Sequence, residues 1–428
     1  MRVHLHLVRT LGACVVTALT VGVLSTPALA TKGGRQRFGA TVYVSPTGSA
    51  AARDRNCRSA AFSTVQSAVD AASAGSTVVV CGGSYTEDVI VSTPLTLKGR
   101  AGATIQGTPT ANGMCEELGP EGPSSAPCLA GITIKSSHVT VQGLTVTGAI
   151  GEGILATGSL EHGSLKDIAI EHDRVQGNDI GGPTSPYSQC DAQGGVPGDC
   201  GEGIHFMGVA DSVIAHNFDS GNSGGVLLTD EFGPTHGNLI DHNTVTGNQF
   251  DCGITVPGHN PMALDANGKP QPSVAGVYDN VIANNTVTDN GQLGEGAGVL
   301  FANATAGTAS YDNVVVHNFI ADNGLAGVTM HAHTVGPGQF EDLSGNAIVG
   351  NTIEQNNLTG DGLDGTVTDE VTTGVLVFSG TVPVRVTIAG NRFRDNEDGV
   401  WLGVGGHVTA ALFGNSFHNV TNPVFVNP

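Results

Sequence analysis

One phrase recurs along the chain and constrains its fold more than any other feature. A short Val/Ile-rich strand leads to an Asn turn, a second strand, another Asn or Asp-Asn, and a Gly that opens a third strand. The phrase reads DSVIAHNFDSGNSGGVLL at 211–228 and NVVVHNFIADNGLAGVTM at 313–330. Its copies start 24 to 42 residues apart, which predicts coils of roughly two dozen residues with variable loops. The first Asn of each copy is Asn217, Asn243, Asn285, Asn318, Asn351, Asn391 or Asn415.

Such a repeat predicts a solenoid of parallel strands. One coil alone leaves both of its faces in water, whereas coils stacked about 4.8 Å apart pair every strand and enclose a continuous interior. Gly makes 63 of 428 residues and aromatic residues only 5%, which suits tight corners around a narrow tube. We therefore predict an all-β fold, a parallel β-helix. The predicted inward pairs are Ile154/Ala156, Ile204/Phe206, Val226/Leu228, Ile254/Val256, Val299/Phe301, Val328/Met330, Val375/Val377 and Val400/Leu402.

The coil corners carry residues that suit sharp turns. Asn at the same corner of successive coils tolerates left-handed backbone and forms hydrogen bonds along the stack. Gly before the third strand allows a sharp corner. A histidine precedes the corner Asn or Asp in four coils, so we interpret this column as part of the repeat. Its members are His172, His216, His242 and His317.

Residues 1–30 have the composition of a secretory signal. A basic start and an apolar stretch lead to Ala28-Leu29-Ala30, a small-x-small cleavage site. The mature chain is then expected to begin near Thr31, and residues 31–428 to form a single β-helix domain. No second stretch of about 18 apolar residues follows. The sequence therefore predicts a secreted protein with no membrane span.

Seven cysteines follow the predicted signal, and in an exported protein they favour disulfides. Three pairs close in sequence are suggested, although other connectivities satisfy the same count. Cys252 is left over. It is either a nucleophile or, as we favour, a small buried residue in a tight turn. The suggested pairs are Cys57 with Cys81, Cys115 with Cys128, and Cys190 with Cys200.

The repeat and the start of the domain resemble a known family. The start reads YVSPTG at 43–48, FSTVQSAVDAASAGSTVVVCGGSYTEDVIV at 62–91 and LTLKGR at 95–100. From about residue 41 to 428 the chain resembles right-handed parallel β-helix proteins of the pectin-lyase-like superfamily, including NosD-like secreted proteins. The resemblance implies an N-terminal strand, a short capping helix from Thr64 to Ala72, and then the first coils. The architecture carries lyases, hydrolases, epimerases, esterases and non-catalytic proteins, so it does not select a reaction.

Long excursions from the coils between about 200 and 345 are expected to line one groove. Carboxylates at matching register lie about 5 Å apart on adjacent coils and about 10 Å apart two coils away, and glycosidases use carboxyl pairs in this range. We predict Asp230, Glu231, Asp251 and Glu202 as catalytic residues. We predict His205, His236, His259, Glu295, His331 and His333 as substrate-binding residues. The long excursions of the whole chain, from which those between about 200 and 345 are taken, are 181–201, 231–237, 257–276, 302–311, 331–345 and 360–372.

The charge of this region selects among ligands. Residues 175–384 contain 22 acidic residues besides Glu202 and a single cation, Lys269. Nucleic acids need clustered cations, and lyases of uronic-acid polymers need a cation or a metal against the substrate carboxylate. The acidic groove therefore favours a neutral glycan. We predict no cofactor and assign no residue as a metal ligand. If the acidic groove binds an ion, we expect it to be Ca²⁺.

These observations lead to a predicted function with open alternatives. We predict a secreted carbohydrate-active enzyme, a glycoside hydrolase or transglycosylase that acts on a neutral poly- or oligosaccharide through paired carboxylates. The alternatives are a metal-assisted polysaccharide lyase or epimerase, a non-catalytic glycan-binding or envelope protein, and a NosD-like protein that handles Cu²⁺ through His331 and His333. An acid also recurs before the corner Gly at Glu152 and Asp398, so Glu202 has a structural interpretation too.

Overall fold

Parallel strands form three long sheets around one continuous apolar core. Each coil contributes one short strand to each sheet, and each strand pairs with its equivalents in the coils before and after it. The fold is the right-handed parallel β-helix expected from the repeat and the family resemblance. The computed structural model describes residues 39–108, 129–179, 202–260, 275–293, 296–303, 307–332, 341–360, 369–379, 382–403 and 407–427, with the backbone of 114–119 and 122–127.

The strand bounds show how regular the coils are. Sheet A contains Thr41–Val44, Ser76–Val80, Leu95–Gly99, Thr140–Gln142, Ala169–Glu171, Val213–Ala215, Leu239–Asp241, Val281–Ala283, Val314–Val316, Ala347–Val349, Val384–Ala389 and Val408–Phe413. Sheet B contains Gly83–Thr86, Ala103–Gln106, Thr145–Thr147, Arg174–Gln176, Phe218–Ser220, Thr244–Thr246, Thr286–Thr288, Phe319–Ala321, Thr352–Glu354, Arg392–Arg394 and Ser416–His418. Sheet C contains Val89–Val91, Ile132–Ile134, Ile154–Thr157, Ile204–Met207, Val226–Thr229, Ile254–Gly258, Val299–Asn303, Val328–Ala332, Thr373–Ser379, Asp398–Leu402 and Asn422–Val426.

Smaller elements complete the described fold. A fourth parallel sheet, sheet D, lies between sheets C and A along the chain, and it occupies parts of the excursions expected to be loops at 231–237 and 302–311. Its strands are Leu165–Lys166, Val209–Ala210, Thr235–His236, Val277–Tyr278 and Ser310–Tyr311. The backbones of Met114–Gly119 and Gly122–Pro127 form an antiparallel hairpin, and Cys57–Ser59 is a 3-10 turn.

The capping helix that the family resemblance implies is present, one residue shorter at each end than Thr64–Ala72. It spans Val65–Ala71, and the Thr64 side chain accepts from the backbone N–H of Ser67 as its N-cap. Val65, Ala68 and Val69 are buried against the first strands. No helix in the described part of the chain is long and apolar enough to cross a membrane.

The core consists of the predicted inward side chains. All but one of the predicted sheet C positions are at most 1% exposed, and Leu402 packs against the same cluster from a partly buried position. Burying one such Val, Leu or Ile side chain contributes about 1.5–3 kcal/mol. The stack therefore gains its stability coil by coil, with each new coil covering the one before it.

Asn side chains form ladders at three corners of the described coils. In the first, Asn285 Oδ1 accepts from Asn243 N (2.8 Å) and Asn243 Nδ2 (3.0 Å), and Asn285 Nδ2 donates to Asn318 Oδ1 (3.0 Å). The predicted stacking of hydrogen bonds is confirmed. The first ladder contains Asn217, Asn243, Asn285, Asn318, Asn351, Asn391 and Asn415; the second Asn178, Asn222, Asn248, Asn290, Asn323, Asn356 and Asn396; the third Asn238, Asn280, Asn313 and Asn346.

Two details of the predicted corners are wrong. The left-handed residue is the one before the Asn, such as His216 (φ 57°) and His242 (φ 54°), and the ladder Asn residues are outside that region. The corner glycines do not have positive φ either. A Cβ on Gly253 would lie 2.3 Å from Val287 Cγ1 and 2.8 Å from Gly298 O, so close approach of sheet B and the next coil requires Gly there.

The cysteines are described in part. Cys57 and Cys81 form the predicted disulfide, with an S–S distance of 2.05 Å. Cys252 is buried, forms no disulfide, and accepts from the backbone N–H of Ala297, as expected for a small core residue. The other two suggested pairs lie outside the described side chains. Residues 1–38 are also outside the described part, so the signal at 1–30 stays a prediction.

Candidate functional site

The outer face of sheet C carries buried polar residues where a solvated face would be expected. The side chain between the two core positions of each strand points away from the core, because side chains alternate along a strand. This position holds Leu in four coils and a polar residue in four others, Thr133, His205, Thr255 and Thr329. All four polar residues are at most 4% exposed. Buried polar side chains need partners, so this face is where a site is expected.

His205 lies at the centre of the polar contacts on this face. Its Nδ1 lies 3.4 Å from Oε1 of Glu152 on the preceding coil, and its Nε2 lies 2.9 Å from Oγ1 of Thr229 on the following coil. One donor atom each of Glu152, Glu202 and His205 lies within 4.8 Å of the other two. Burial favours the neutral form of Glu152, but the hydrogen bond and charge of His205 outweigh it and lower the Glu152 pKa.

Glu231 and His259 form the second polar contact. His259 Nδ1 lies 2.8 Å from Glu231 Oε1, in a partly buried ion pair. Burial alone would raise the Glu231 pKa, yet the charge and hydrogen bond of His259, the charge of His205 and the Thr229 hydroxyl lower it to about 2. The carboxylate therefore stays ionised at neutral pH. We call Glu152, Glu202, His205, Thr229, Glu231 and His259 the outer cluster.

Asp230 lies beside the outer cluster but its oxygens are bound by backbone. Oδ1 accepts from the N–H groups of His259 (2.7 Å) and Asn260 (3.1 Å), and Oδ2 accepts from the N–H of Gly276 (2.5 Å). Its side chain is fully buried. Burial and the neighbouring Glu231 raise its pKa to about 6, although the backbone bonds lower it. Asp230 thus joins both ends of the 257–276 excursion to the strand end and positions His259.

Asp251 and Glu202 both lie against Gly224 at the start of sheet C. Glu202 Cγ and Asp251 Cβ lie 3.2 and 3.3 Å from the position that a Cβ on Gly224 would take. Because Gly224 has no side chain, the Glu202 and Asp251 side chains can occupy the space beside it. Asp251 Oδ1 also accepts from the backbone N–H of Cys252 (2.6 Å). Of the four predicted catalytic carboxylates, the structure therefore groups Glu202 with Asp251, and Asp230 with Glu231.

The remaining predicted residues are dispersed. His236 belongs to sheet D, where it stacks on Tyr278 at 4.8 Å, and Tyr278 stacks on Tyr311 at 5.1 Å. His331 was expected in a loop, which is wrong: it lies in strand Val328–Ala332 between Ala302 and Phe378. Glu295 and His333 lie outside the described residues. Trp401 is buried against Leu376 and Phe378 and stacks on Phe425.

Two members of the outer cluster were missed by sequence reasoning. Glu152 was visible as the acid one coil before Glu202 at the same position, and this alignment of two carboxylates was a usable signal. Thr229 gave no signal, because its role follows from its contact with His205. The described part of 175–384 contains no Lys or Arg, so the imidazoles are the basic groups of the cluster.

Comparisons with known proteins agree with this architecture. The family model described as periplasmic copper-binding protein (NosD) matches residues 131–362. The A-module of mannuronan C-5 epimerase AlgE4 from Azotobacter vinelandii superposes with a TM-score of 0.53 at 15% identity, over 84% of this chain and 92% of that one. The A-module of the AlgE6 epimerase from the same organism gives 0.52 at 18% identity, over 85% and 91%. Comparison with curated proteins gives no match. At these identities the two structures establish the fold alone.

Proposed function

The chain belongs to the NosD family, and from the chemistry of its outer cluster we propose that it is an exported carbohydrate-active enzyme. The observation that carries the proposal is the Glu231–His259 pair at 2.8 Å, joined through Thr229 to His205. An imidazole whose Nδ1 is held by an ionised carboxylate presents its other nitrogen for proton transfer. Such a pair on a sheet face flanked by long excursions suits acid–base chemistry on a bound ligand.

Hydrolysis or transglycosylation of a neutral glycan is the reaction we propose. An ionised carboxylate stabilises the positive charge that develops on the sugar ring, and Glu231 keeps its charge at neutral pH. His259, hydrogen-bonded to Glu231, moves the proton. Asp230 holds the 257–276 excursion in place rather than reacting, because backbone N–H groups occupy both of its oxygens. The scarcity of cations supports a neutral ligand over a polyanion.

Export is supported by two observations. The Cys57–Cys81 disulfide is typical of oxidising compartments, and the start of the chain has the composition of a secretory signal. The description of the NosD family names the periplasm. We therefore propose an extracellular or periplasmic protein.

A second candidate is a metal-assisted polysaccharide lyase or epimerase. It is favoured by Glu152, Glu202 and His205, whose donor atoms are close enough to hold a divalent cation. Such an ion would supply the positive charge against a uronate that the cluster lacks. The two proteins of similar fold are named as C-5 epimerases of mannuronan.

The family description names copper, so we compared the ligands that copper ions prefer with the side chains of the outer cluster and with Cys252. Cu⁺ prefers thiolate and thioether ligands. Burial and the neighbouring Asp251 hold the pKa of Cys252 well above its ordinary value, so its thiol stays protonated. The outer cluster offers carboxylate oxygen and imidazole nitrogen. These donors fit a divalent ion such as Cu²⁺ or Zn²⁺, and they do not fit Cu⁺.

The proposed function is tested by turnover of a panel of neutral and uronic-acid glycans. We expect release of shorter neutral products, and we expect Glu231→Gln and His259→Asn each to lower kcat by at least about 100-fold. The matched control is Glu354→Gln on sheet B, which removes a partly buried carboxylate 3.9 Å from Arg394 and is expected to keep full activity.

Three results would count against this assignment. Full activity of Glu231→Gln removes the outer cluster from the chemistry. An unsaturated, ultraviolet-absorbing product or an epimerised polymer supports the second candidate. Glycan binding without turnover, equal in the wild type and both variants, indicates a non-catalytic binding protein.

A further inference from the structure

Two carboxylates occupy one column at the start of sheet C on adjacent coils. The N–H of Gly153 donates to the carbonyl of Glu202, and the strands that follow pair in register, so Glu152 and Glu202 are direct neighbours along the stack. The same column holds small residues on either side, Ala130 before them and Gly224 after them. The paired acids are therefore a local departure from the repeat.

The contacts of His205 orient its two ring nitrogens toward different partners. Glu231 is ionised and only accepts hydrogen bonds, so the Thr229 hydroxyl directs its hydrogen to Glu231. The hydroxyl oxygen then accepts the Nε2–H of His205 at 2.9 Å. Nδ1 of His205 therefore faces the Glu152 carboxylate, and a cation bound between the two atoms would take the place of the Nδ1 proton that joins them in the metal-free protein. Metal-binding histidines have this arrangement, in which a hydrogen bond on one nitrogen orients the other toward the metal.

The distance between His205 Nδ1 and Glu152 Oε1 matches the distance between two ligand atoms bound to one metal ion. His205 Nδ1 and Glu152 Oε1 are 3.4 Å apart. A charge-assisted N–H···O hydrogen bond measures about 2.7–2.9 Å, which is distinctly shorter. Two ligands bound at about 2.0–2.2 Å with a tetrahedral angle are about 3.4 Å apart. Glu202, within 4.8 Å of both, is then the third ligand.

Charge and burial point in the same direction. Glu152, Glu202 and His205 are 8%, 1% and 4% exposed. Two carboxylates at this depth are stabilised by a cation. A proton on His205 would compensate one carboxylate, whereas a divalent ion compensates both.

We propose that Glu152, Glu202 and His205 bind one divalent transition-metal ion of the Zn²⁺ class. One imidazole and two carboxylates are typical ligands of Zn²⁺ and related ions, whereas Ca²⁺ takes oxygen ligands only. We therefore propose a transition-metal ion such as Zn²⁺ here, in place of the Ca²⁺ expected from the sequence. The inference extends the proposed function, since Thr229 connects the ligand His205 to Glu231, but the metal site is measured without any glycan.

The test uses the mature protein stripped with a chelator and then dialysed against Zn²⁺. We expect one equivalent of tightly bound zinc by elemental analysis, and a rise in the melting temperature on zinc addition. Co²⁺ in place of zinc is expected to give the visible absorption of a four-coordinate N/O site. Glu202→Gln is expected to weaken zinc binding at least tenfold in calorimetry, and Glu152→Gln combined with Glu202→Gln to abolish it.

The matched control removes an exposed His–carboxylate pair of the same composition. His242 Nδ1 lies 2.8 Å from Asp241 Oδ2 on the outside of the coils. Asp241→Asn combined with His242→Asn is expected to leave the zinc content at one equivalent. Loss of zinc in this control, or full zinc binding by the Glu152→Gln, Glu202→Gln protein, overturns the assignment.

The cobalt spectrum of the wild type keeps the proposal falsifiable if the buried variants fail to fold. A wild-type protein that retains no Zn²⁺ and shows only the spectrum of hydrated Co²⁺ contradicts it. Failure of the proposed function has a different signature: zinc bound as described, with no glycan turned over.

Discussion

The corner ladders and the outer cluster are two polar regions built into the same stack, and they satisfy their polar groups in opposite ways. In the ladders each Asn amide uses the Asn of the next coil, so translation along the stack provides every partner. In the outer cluster the partners are residues of different kinds, from Glu152 to His259, and some come from excursions. The polar groups of the ladders find hydrogen-bond partners because the same residue recurs in successive coils. Those of the outer cluster find partners only because these particular residues lie together.

This difference separates structural from functional polarity. A buried polar group that recurs in every coil lowers the free energy of the fold and needs no ligand. A buried polar group that no other coil repeats, such as the imidazole of His205, has no equivalent partner supplied by translation along the stack. Such groups are where binding or chemistry is expected, because a fold under selection for stability alone would retain the repeat.

The largest effect is expected from breaking a ladder. Asn285→Ala removes the acceptor of two hydrogen bonds from Asn243, including its backbone N–H, and the donor to Ile240 O and Asn318 Oδ1. We expect the free energy of unfolding to fall by about 3–5 kcal/mol, measured by denaturant titration. Asn284→Gly is the control, because Asn284 is exposed at φ 56° and Gly adopts that conformation readily. Equal losses in both variants would contradict the ladder's role.

A smaller change, this time a gain in the free energy of unfolding, is expected at Asp173, where an acid occupies a position of the first Asn ladder. Asp173 precedes Asn217 in the first ladder, and burial raises its pKa to about 8. Its pKa is higher in the folded than in the unfolded chain, so its contribution to stability is lost as pH rises from about 4 to about 8. Asp173→Asn removes this loss and extends the ladder. We expect a gain of about 2 kcal/mol at pH 8 and little change at pH 4.

Calorimetric melting at the two pH values measures this difference. The reciprocal change Asn217→Asp places a carboxylate where Asn217 Nδ2 now donates to Ile170 O and Asn243 Oδ1. It is expected to destabilise the protein at pH 8 more than at pH 4. A pH-independent effect of both substitutions would show that Asp173 does not titrate in this range.

The smallest effect is expected at the exposed histidine column beside the first ladder. His242 has φ 54°, is half exposed and stacks on His216 at 5.1 Å, and Asn284 takes the same place on the next coil. His242→Asn is expected to change the free energy of unfolding by less than about 0.5 kcal/mol in denaturant titration. A loss near that of Asn285→Ala would place these histidines among the stabilising groups of the corner.

Sequence periodicity predicted the coils, their inward residues and the ladder positions because each depends on a local pattern repeated by translation. A residue such as Val226 faces the core for the same reason as its equivalents in every other coil. The Cys57–Cys81 pair was also predicted, since its two cysteines lie close in sequence, and the helix Val65–Ala71 agrees with what the family resemblance implies. The positions of the corner glycines were predicted correctly, but the reason given, a sharp turn, was wrong. The structure requires Gly there because the neighbouring coil packs too closely for a side chain, and a single copy of the repeat does not show that packing.

The short list of acids and histidines came from the sequence, and the register between coils decided which of them meet. Glu231 pairs with His259 across 28 residues, and His205 reaches Glu152 across 53. The same register assigned Asp230 to backbone N–H groups and His236 to an aromatic stack on sheet D. The physical reason is that each excursion adds residues to the chain without adding a coil, so contacts between carboxylates and imidazoles depend on how the coils stack and where each side chain points.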